Sequence, residues 1–308
     1  MNKQYYIYII IAILMCYIYI RIYHDTNKRY DLSEKIIIFD TFCGLCNQFV
    51  DIHKGINFCL KNNIKFTFRY ASFRKDDLVL WYNVDFDRLF DKSFLKQFDL
   101  YVDIHTLDLN CNNTLNYDSS LHAPSMLDSK QDILSQINNM NTKYIVLRGI
   151  FSLLEDIPIV KNIYPEIVPS PEIMRIYINI KNELSLTNKK YNFIHYRYEH
   201  DYISYHKITD LPSLGYIINN IKFKNSNNPI YIASTNIPML LKDVKMPEID
   251  NKSILYKDEN IEEINRLNFE QRGFIDFMFG KNSDELYGHI KSSFSNILNE
   301  LKGTKNYY

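Results

Sequence analysis

The stretch "FIHYRYEHD" (Phe193–Asp201) holds two His, one Arg, one Glu and one Asp behind an apolar lead-in. The lead-in reads as a strand. Strand alternation then sends His195, Arg197 and Glu199 to one side and Tyr196, Tyr198 and His200 to the other. An Arg delivered at a strand's carboxyl end suits a diphosphate, because its guanidinium is permanently charged and offers a planar fork of donors. Glu199 and Asp201 then act as supports for the guanidinium. Without a ligand, the same residues would make an ordinary ion pair on a surfacing strand.

Two other segments offer related chemistry. "GLCNQ" (Gly44–Gln48) follows an apolar run at a turn into a helix. Gly44 permits close backbone approach, and the amides of Leu45, Cys46 and Asn47 at a helix start can face an anion. Asn47 alternatively caps the helix. "KSSFSN" (Lys291–Asn296) reads as a second helix start, with Ser292 and Ser293 either as caps or on phosphate and Phe294 against a flat ring. Upstream, Asp276 could accept the two N–H donors of a guanine edge. Asp284 reads as the cap of a helix through "DELYGHI". "VDFDR" carries a D-x-D pair, Asp85 and Asp87, a pattern that elsewhere holds a metal and a nucleotide diphosphate. Its surroundings read as helical and aromatic, which argues against that use.

These residues need elements to position them. "KIIIFD" (Lys35–Asp40) is a continuous apolar run, as in a buried parallel strand. A helix from about Asn47 to Asn62 and an alternating strand, "IKFTFRY" (Ile64–Tyr70), complete a βαβ unit. Residues 71–140 are less patterned and read as helices and loops over the sheet, and "YIVLR" (Tyr144–Arg148) as a strand. Pro165, Pro169 and Pro171 punctuate a boundary, after which Ser170 caps a helix with Pro171 in its first position. The second half repeats the rhythm: strand "YNFIHYR", helix "LPSLGYIINNI", strand "PIYIAST", helices near Glu262–Arg266 and Phe269–Phe279, a short strand or turn from "SDELYGHI", and a last helix after "SSF". Ligands bind at the carboxyl ends of strands in such sheets, where Asp40–Asn47, His195–Asp201 and Ser234–Asn236 fall.

Composition bounds the rest. Lys+Arg and Asp+Glu are both 36, so the formal net charge is zero. That argues against a nucleic-acid binder, which needs a basic surplus. Residues 5–23 begin with an uncharged apolar run and approach the roughly 20 residues of a membrane helix. No small-x-small cleavage site follows, so an uncleaved anchor with a short stem to residue 34 is expected, with the body in the ER/Golgi lumen. Outside the anchor lie Cys43, Cys46, Cys59 and Cys111, and a lumenal setting favours disulfides among them. No second C-x-x-C and no nearby H-x-x-x-H completes a zinc site with "CGLC". "NNT" at Asn112 and "NKS" at Asn251 are glycosylation sequons, common by chance in an Asn-rich chain.

In this order, "GLCNQ", "HYRYEHD" and "DFMFGKNSDELYGHIKSSFSNIL" resemble the GDP-fucose-dependent O-fucosyltransferase superfamily. That superfamily carries a G-x-x-N-Q-like loop, an H-x-R-x-E-x-D motif and a terminal S-S-F preceded by an acidic residue. The resemblance spans roughly Lys35–Asn299. It implies an α/β chain of GT-B type, with two facing Rossmann-like domains around a cleft: 35–165 on the acceptor side and 166–308 on the nucleotide-sugar side. It implies an inverting transferase with GDP-fucose as donor, a protein or glycan as acceptor, and neither metal nor cofactor. By position, Arg197 would stabilise the leaving GDP, and Asn47 with the Gly44–Cys46 backbone would line the donor. His195 and Asp276 would lie near guanosine, and Ser292, Ser293 and Phe294 would hold phosphate and fucose or base. Some members carry a Glu in the first loop. Here "TFCGLC" offers no carboxylate but Asp40, so the base for the acceptor hydroxyl is unassigned. A relative using another nucleotide sugar, or a GT-B binding protein without turnover, fits the same motifs.

Overall fold

The computed structural model describes residue 15 and residues 32–75, 80–108, 117–118, 132–149, 167–198, 203–204, 206–221, 227–242, 254–258 and 261–308. The expected anchor at residues 5–23, both sequons, Cys111, Glu199 and Asp201 lie outside them. Among the described residues no helix is long and apolar enough to cross a membrane.

The first sheet is mixed. Strand β1 (Ile36–Asp40) is buried at all five positions, the signature of a strand covered on both faces. Helix α1 (Leu45–Asn62) ends where Asn63 turns left-handed at φ 53°. Strand β2 (Lys65–Arg74) runs parallel to β1, and β3 (Trp81–Asp85) pairs antiparallel with β2. Strand β4 (Tyr117–Asp118), helix α2 (Asp132–Asn139) and strand β5 (Tyr144–Arg148) complete the order β3-β2-β1-β5-β4. Two expectations change here. The second strand continues to Arg74, because β3 gives Tyr70–Arg74 an antiparallel partner. Asp85 ends a strand rather than lying in a helix, and Asp87 follows in a short 3₁₀ turn.

The second sheet is parallel throughout. Helix α3 (Pro171–Glu183) starts after Ser170 with Pro171 in the first turn and buries Ile173, Ile176, Tyr177 and Ile180, one face of a 3.6-residue period. Then follow β6 (Asn192–His195), α4 (Leu214–Asn220), β7 (Ile230–Ala233), α5 (Ile237–Lys242), β8 (Ile254–Leu255), α6 (Glu262–Asn265), α7 (Phe269–Asn282), β9 (Glu285–Gly288) and α8 (Ser293–Lys302). The strand order is β8-β7-β6-β9. The short strand expected in "SDELYGHI" is thus present at Glu285–Gly288, and the helix that Asp284 would cap is not. Asp284 leads into the strand, donating its amide to the Tyr191 carbonyl at 2.8 Å and accepting from Asn228 Nδ2 at 3.1 Å.

The two sheets share one hydrophobic cluster. Phe49 of α1 meets Phe274 and Phe277 of α7 edge-on, with ring centroids 5.1 and 4.7 Å apart. Aromatic pairs in this geometry add to the gain from burial alone. Helices α1 and α7, from the two halves of the chain, are thereby packed on each other.

Candidate functional site

The β1–α1 loop is built around Gln48. Its side chain is fully buried. Oε1 accepts from the Thr41 hydroxyl at 2.7 Å and the Ser72 amide at 3.0 Å, while Nε2 donates to the Cys43 and Ser72 carbonyls at 2.8 Å each. Asp51 accepts the Phe42 amide at 2.9 Å. These bonds hold Cys43 at φ 68°, a left-handed conformation costing on the order of 1 kcal/mol for a residue with a Cβ. Gln48 had no role assigned from sequence. The available signal was its place as the last residue of the G-x-x-N-Q-like loop.

Gly44, and not Asn47, is the N-cap of α1, so the helix starts at Leu45. The Gly44 carbonyl accepts the amides of Asn47 and Gln48 at 2.9 and 3.1 Å. A Cβ at Gly44 would lie 2.9 Å from Arg74 Nη2, so a larger residue would have to displace that guanidinium. The Leu45 and Cys46 side chains enter the core, leaving their backbone as the part available to a ligand. The Asn47 side chain is half-buried and bonds the Cys43 thiol. Burial, with Asp51 nearby, pushes that thiol up to about 11. Burial also raises Cys46 and Cys59, and all three are free thiols rather than disulfide halves.

Strand β6 ends at His195, and one further ladder bond, Tyr196 N to Ala233 O at 2.9 Å, precedes irregular backbone. Tyr196 and Tyr198 stack at 5.7 Å, as alternation requires. His195 is buried. A ring nitrogen, Nδ1, lies 2.9 Å from Ser295 Oγ, and the ring stacks on Phe294 at 4.2 Å. Burial, then the charges of Arg197, His289 and Lys257, lower its pKa to about 3, so the imidazole is neutral. The flat ring that Phe294 meets is thus His195 itself. The Arg197 charge also lowers the Cys46 thiol against the larger effect of burial, so the two residues lie within electrostatic reach.

Helix α8 packs on α1 and begins beside the same place. Its N-cap is Ser292, as expected, but the side chain makes no capping bond. The Ser292 amide donates to His289 O at 3.0 Å; its hydroxyl is buried and has no hydrogen-bond partner among the described residues. Ser293 is the first helical residue and is exposed. Burial lowers the pKa of His206 and His289, and Lys291 lowers both further. Arg197 adds to the effect on His206. The charges of Arg197 and Lys291, with the buried Ser292 hydroxyl, suit an anion.

Asp276 lies on α7 with its carboxylate buried. Oδ1 accepts from Tyr231 at 2.9 Å, and Oδ2 pairs with Lys257. The Ser234 hydroxyl, just beyond β7, is buried and has no partner among the described residues. Asp40 is buried at the end of β1 and is gripped by Arg69 through Nε at 3.0 Å and Nη2 at 2.6 Å. Among the described residues no group of three His, Cys, Asp or Glu could hold a metal ion. Asp87 pairs with Lys92 at 3.2 Å.

No family model matches the sequence, and no curated protein does. Solved structures do resemble the fold. POFUT1 in complex with GDP aligns at a TM-score of 0.61 and 12% identity, over 90% of this chain and 99% of that one. POFUT1 in complex with GDP-fucose aligns at 0.55 and 10%, over 90% and 98%. At these identities the likeness is one of fold.

Proposed function

We propose that this chain is a GT-B glycosyltransferase that transfers fucose from GDP-fucose to a protein or glycan hydroxyl, with inversion and without a metal. The observation that carries this reading is the meeting of three segments. Arg197 beyond β6, the glycine-started helix α1 and the Ser292 N-terminus of α8 lie on one side of the fold, and the similar folds of POFUT1 are described in complex with GDP and GDP-fucose. Arg197 supplies a fixed charge for the diphosphate as the glycosidic bond breaks, and its desolvation strengthens that stabilisation. The free amides of α1 and α8 and the Ser292 hydroxyl complete the anion site. His195, held neutral, and Asp276 face the base.

The flanking carboxylates support a mechanism driven by the leaving group. Asp40 is bound bidentately by Arg69, and Asp51 holds the Phe42 amide, so neither is a free base. In this reading residues 35–165 form the acceptor-side domain and 166–308 the donor-side domain. The apolar run at residues 5–23 anchors the chain with its body in the lumen.

The test is calorimetric titration with GDP and UDP, followed by transfer from GDP-fucose across an acceptor panel. Wild type binds GDP in preference to UDP. Arg197→Ala weakens GDP by roughly 100-fold, the scale of one lost charge-assisted contact set. Wild type that ignores GDP overturns the reading. Binding without transfer or hydrolysis points to a non-catalytic binding protein.

A further inference from the structure

Residues Thr304–Tyr308 run along the edge of the second sheet, beside β9. Helix α8 is capped by Gly303, and Asn299 of that helix gathers the chain that follows. Asn299 Oδ1 accepts the Thr304 hydroxyl at 2.7 Å and the Asn306 amide at 3.0 Å, and Nδ2 donates to the Asn306 carbonyl at 3.2 Å. Tyr307 then pairs in parallel with Gly288, the last residue of β9. The Gly288 amide donates to Asn306 O at 3.4 Å, and the Gly288 carbonyl accepts from the Tyr308 amide at 3.1 Å.

This pairing carries the Tyr308 side chain across to β6, where its hydroxyl donates to the His195 carbonyl at 2.7 Å. The other group of the same peptide unit, the Tyr196 amide, donates to Ala233 O of β7 at 2.9 Å. The peptide between His195 and Tyr196 is therefore bonded on both sides, where β6 ends and just ahead of Arg197. A peptide unit is planar, so fixing its N–H and its C=O fixes the whole unit. The Tyr196 side chain is itself buried, and the Tyr308 ring lies 6.4 Å from it and 5.9 Å from the His289 ring. The chain thus enters Arg197 from a fixed direction. We infer that Tyr308 is a positioning residue for Arg197: by clamping the last peptide of β6, it presents the guanidinium to a nucleoside diphosphate already oriented. A charge oriented beforehand loses less freedom on binding than one that must be ordered by its ligand. This inference rests on the nucleotide reading above and adds to it a residue outside all three motif segments.

The experiment titrates the full chain with GDP, using wild type, Tyr308→Phe, Arg197→Ala, the double variant of these two, and Thr304→Val as a control. Tyr308→Phe keeps the ring and removes one hydrogen bond, so GDP affinity is expected to fall roughly fivefold, within the worth of one such bond. In the Arg197→Ala background the same substitution is expected to change GDP affinity by less than about twofold, because the group it positions is gone. Thr304→Val removes the hydroxyl bond to Asn299, a loss of the same kind in the same segment. It is expected to lower the melting temperature as Tyr308→Phe does, with GDP affinity within about twofold of wild type. A loss in Tyr308→Phe that persists undiminished without Arg197, or that Thr304→Val shares, makes Tyr308 structural only and overturns the inference. Wild-type affinity in Tyr308→Phe beside a weakened Arg197→Ala also overturns it and leaves the nucleotide reading standing. Wild type that ignores GDP removes the nucleotide reading itself, and this inference with it.

Discussion

Arg74 at the end of β2 and Glu270 in the first turn of α7, 196 residues apart, form a buried ion pair that joins the two halves of the chain beneath Gly44. Arg74 Nε lies 2.9 Å from Oε1, and the Arg74 amide donates to Oε2 at 3.0 Å. The guanidinium is sandwiched by Trp81 and Phe269, 5.0 and 4.6 Å from their centroids. Removing one partner strands the other charge in the interior. Glu270→Gln is expected to lower stability by about 3–5 kcal/mol, while the double substitution Arg74→Met with Glu270→Met recovers much of that. Urea midpoints measure both, and a double variant as unstable as the single would remove the argument.

Gln48 makes a sharper test of the donor loop. Gln48→Glu keeps the shape but turns the Nε2 donor into an oxygen facing two carbonyls. The expected loss is about 3 kcal/mol or more, from two broken bonds and a buried charge. GDP affinity should fall with it, since the same bonds hold Cys43 and Gly44. Unchanged affinity in a folded variant would detach the loop from the ligand.

Two glycines separate steric from conformational need. At Gly288 a Cβ would lie 2.1 Å from Ser295 Oγ and 2.6 Å from its Cβ. Gly288→Ala should therefore displace Ser295, break its bond to His195 and cost about 1–3 kcal/mol. Gly303 has φ +65° and nothing within 4 Å, so Gly303→Ala should cost only about 1 kcal/mol of backbone strain and leave GDP binding alone. Thermal melts and GDP titration on both variants distinguish the two.

His195 predicts a pH dependence of stability. Its folded pKa of about 3 lies below the ordinary 6.5, so between these values the unfolded chain binds a proton that the folded chain refuses. Its contribution is complete above pH 6.5 and is lost as pH falls towards 3, with a slope of at most about 1.4 kcal/mol per pH unit. Asp40 and Glu270, whose pKa values burial raises, act oppositely in their own range above the ordinary carboxylate values. Comparing wild type with His195→Gln between pH 5 and 7 isolates the histidine, and equal slopes would refute its neutral burial.

Much of the architecture was legible locally. The uniform burial of β1, the Ser-Pro start of α3 and the strand before His195 follow from apolar runs and cap residues, which act over a few positions. Boundaries shifted where a neighbour outweighed the local signal. Helix α1 begins after Gly44 because Gln48 folds the loop from within, and β2 runs on past Tyr70 because β3 offers it an antiparallel partner. Asp276 was legible as an acidic residue before S-S-F, but its bonds to Tyr231 and Lys257 were not. Phe294 was legible as an aromatic, but its stacking on His195 was not.

By itself the sequence determined the α/β alternation and the types of group available: one arginine after a strand and two helix starts, one after a glycine-containing loop and the other at a pair of serines. These depend on periodicity and side-chain chemistry, which are properties of neighbouring residues. Only the tertiary structure decided which groups meet and in what state. Burial sets whether His195 is charged, Arg69 sets whether Asp40 is free, and the packing of α1 on α7 and α8 brings Arg197 to Cys46. Desolvation and ion pairing act through space over a few ångströms, between residues that chain order leaves far apart.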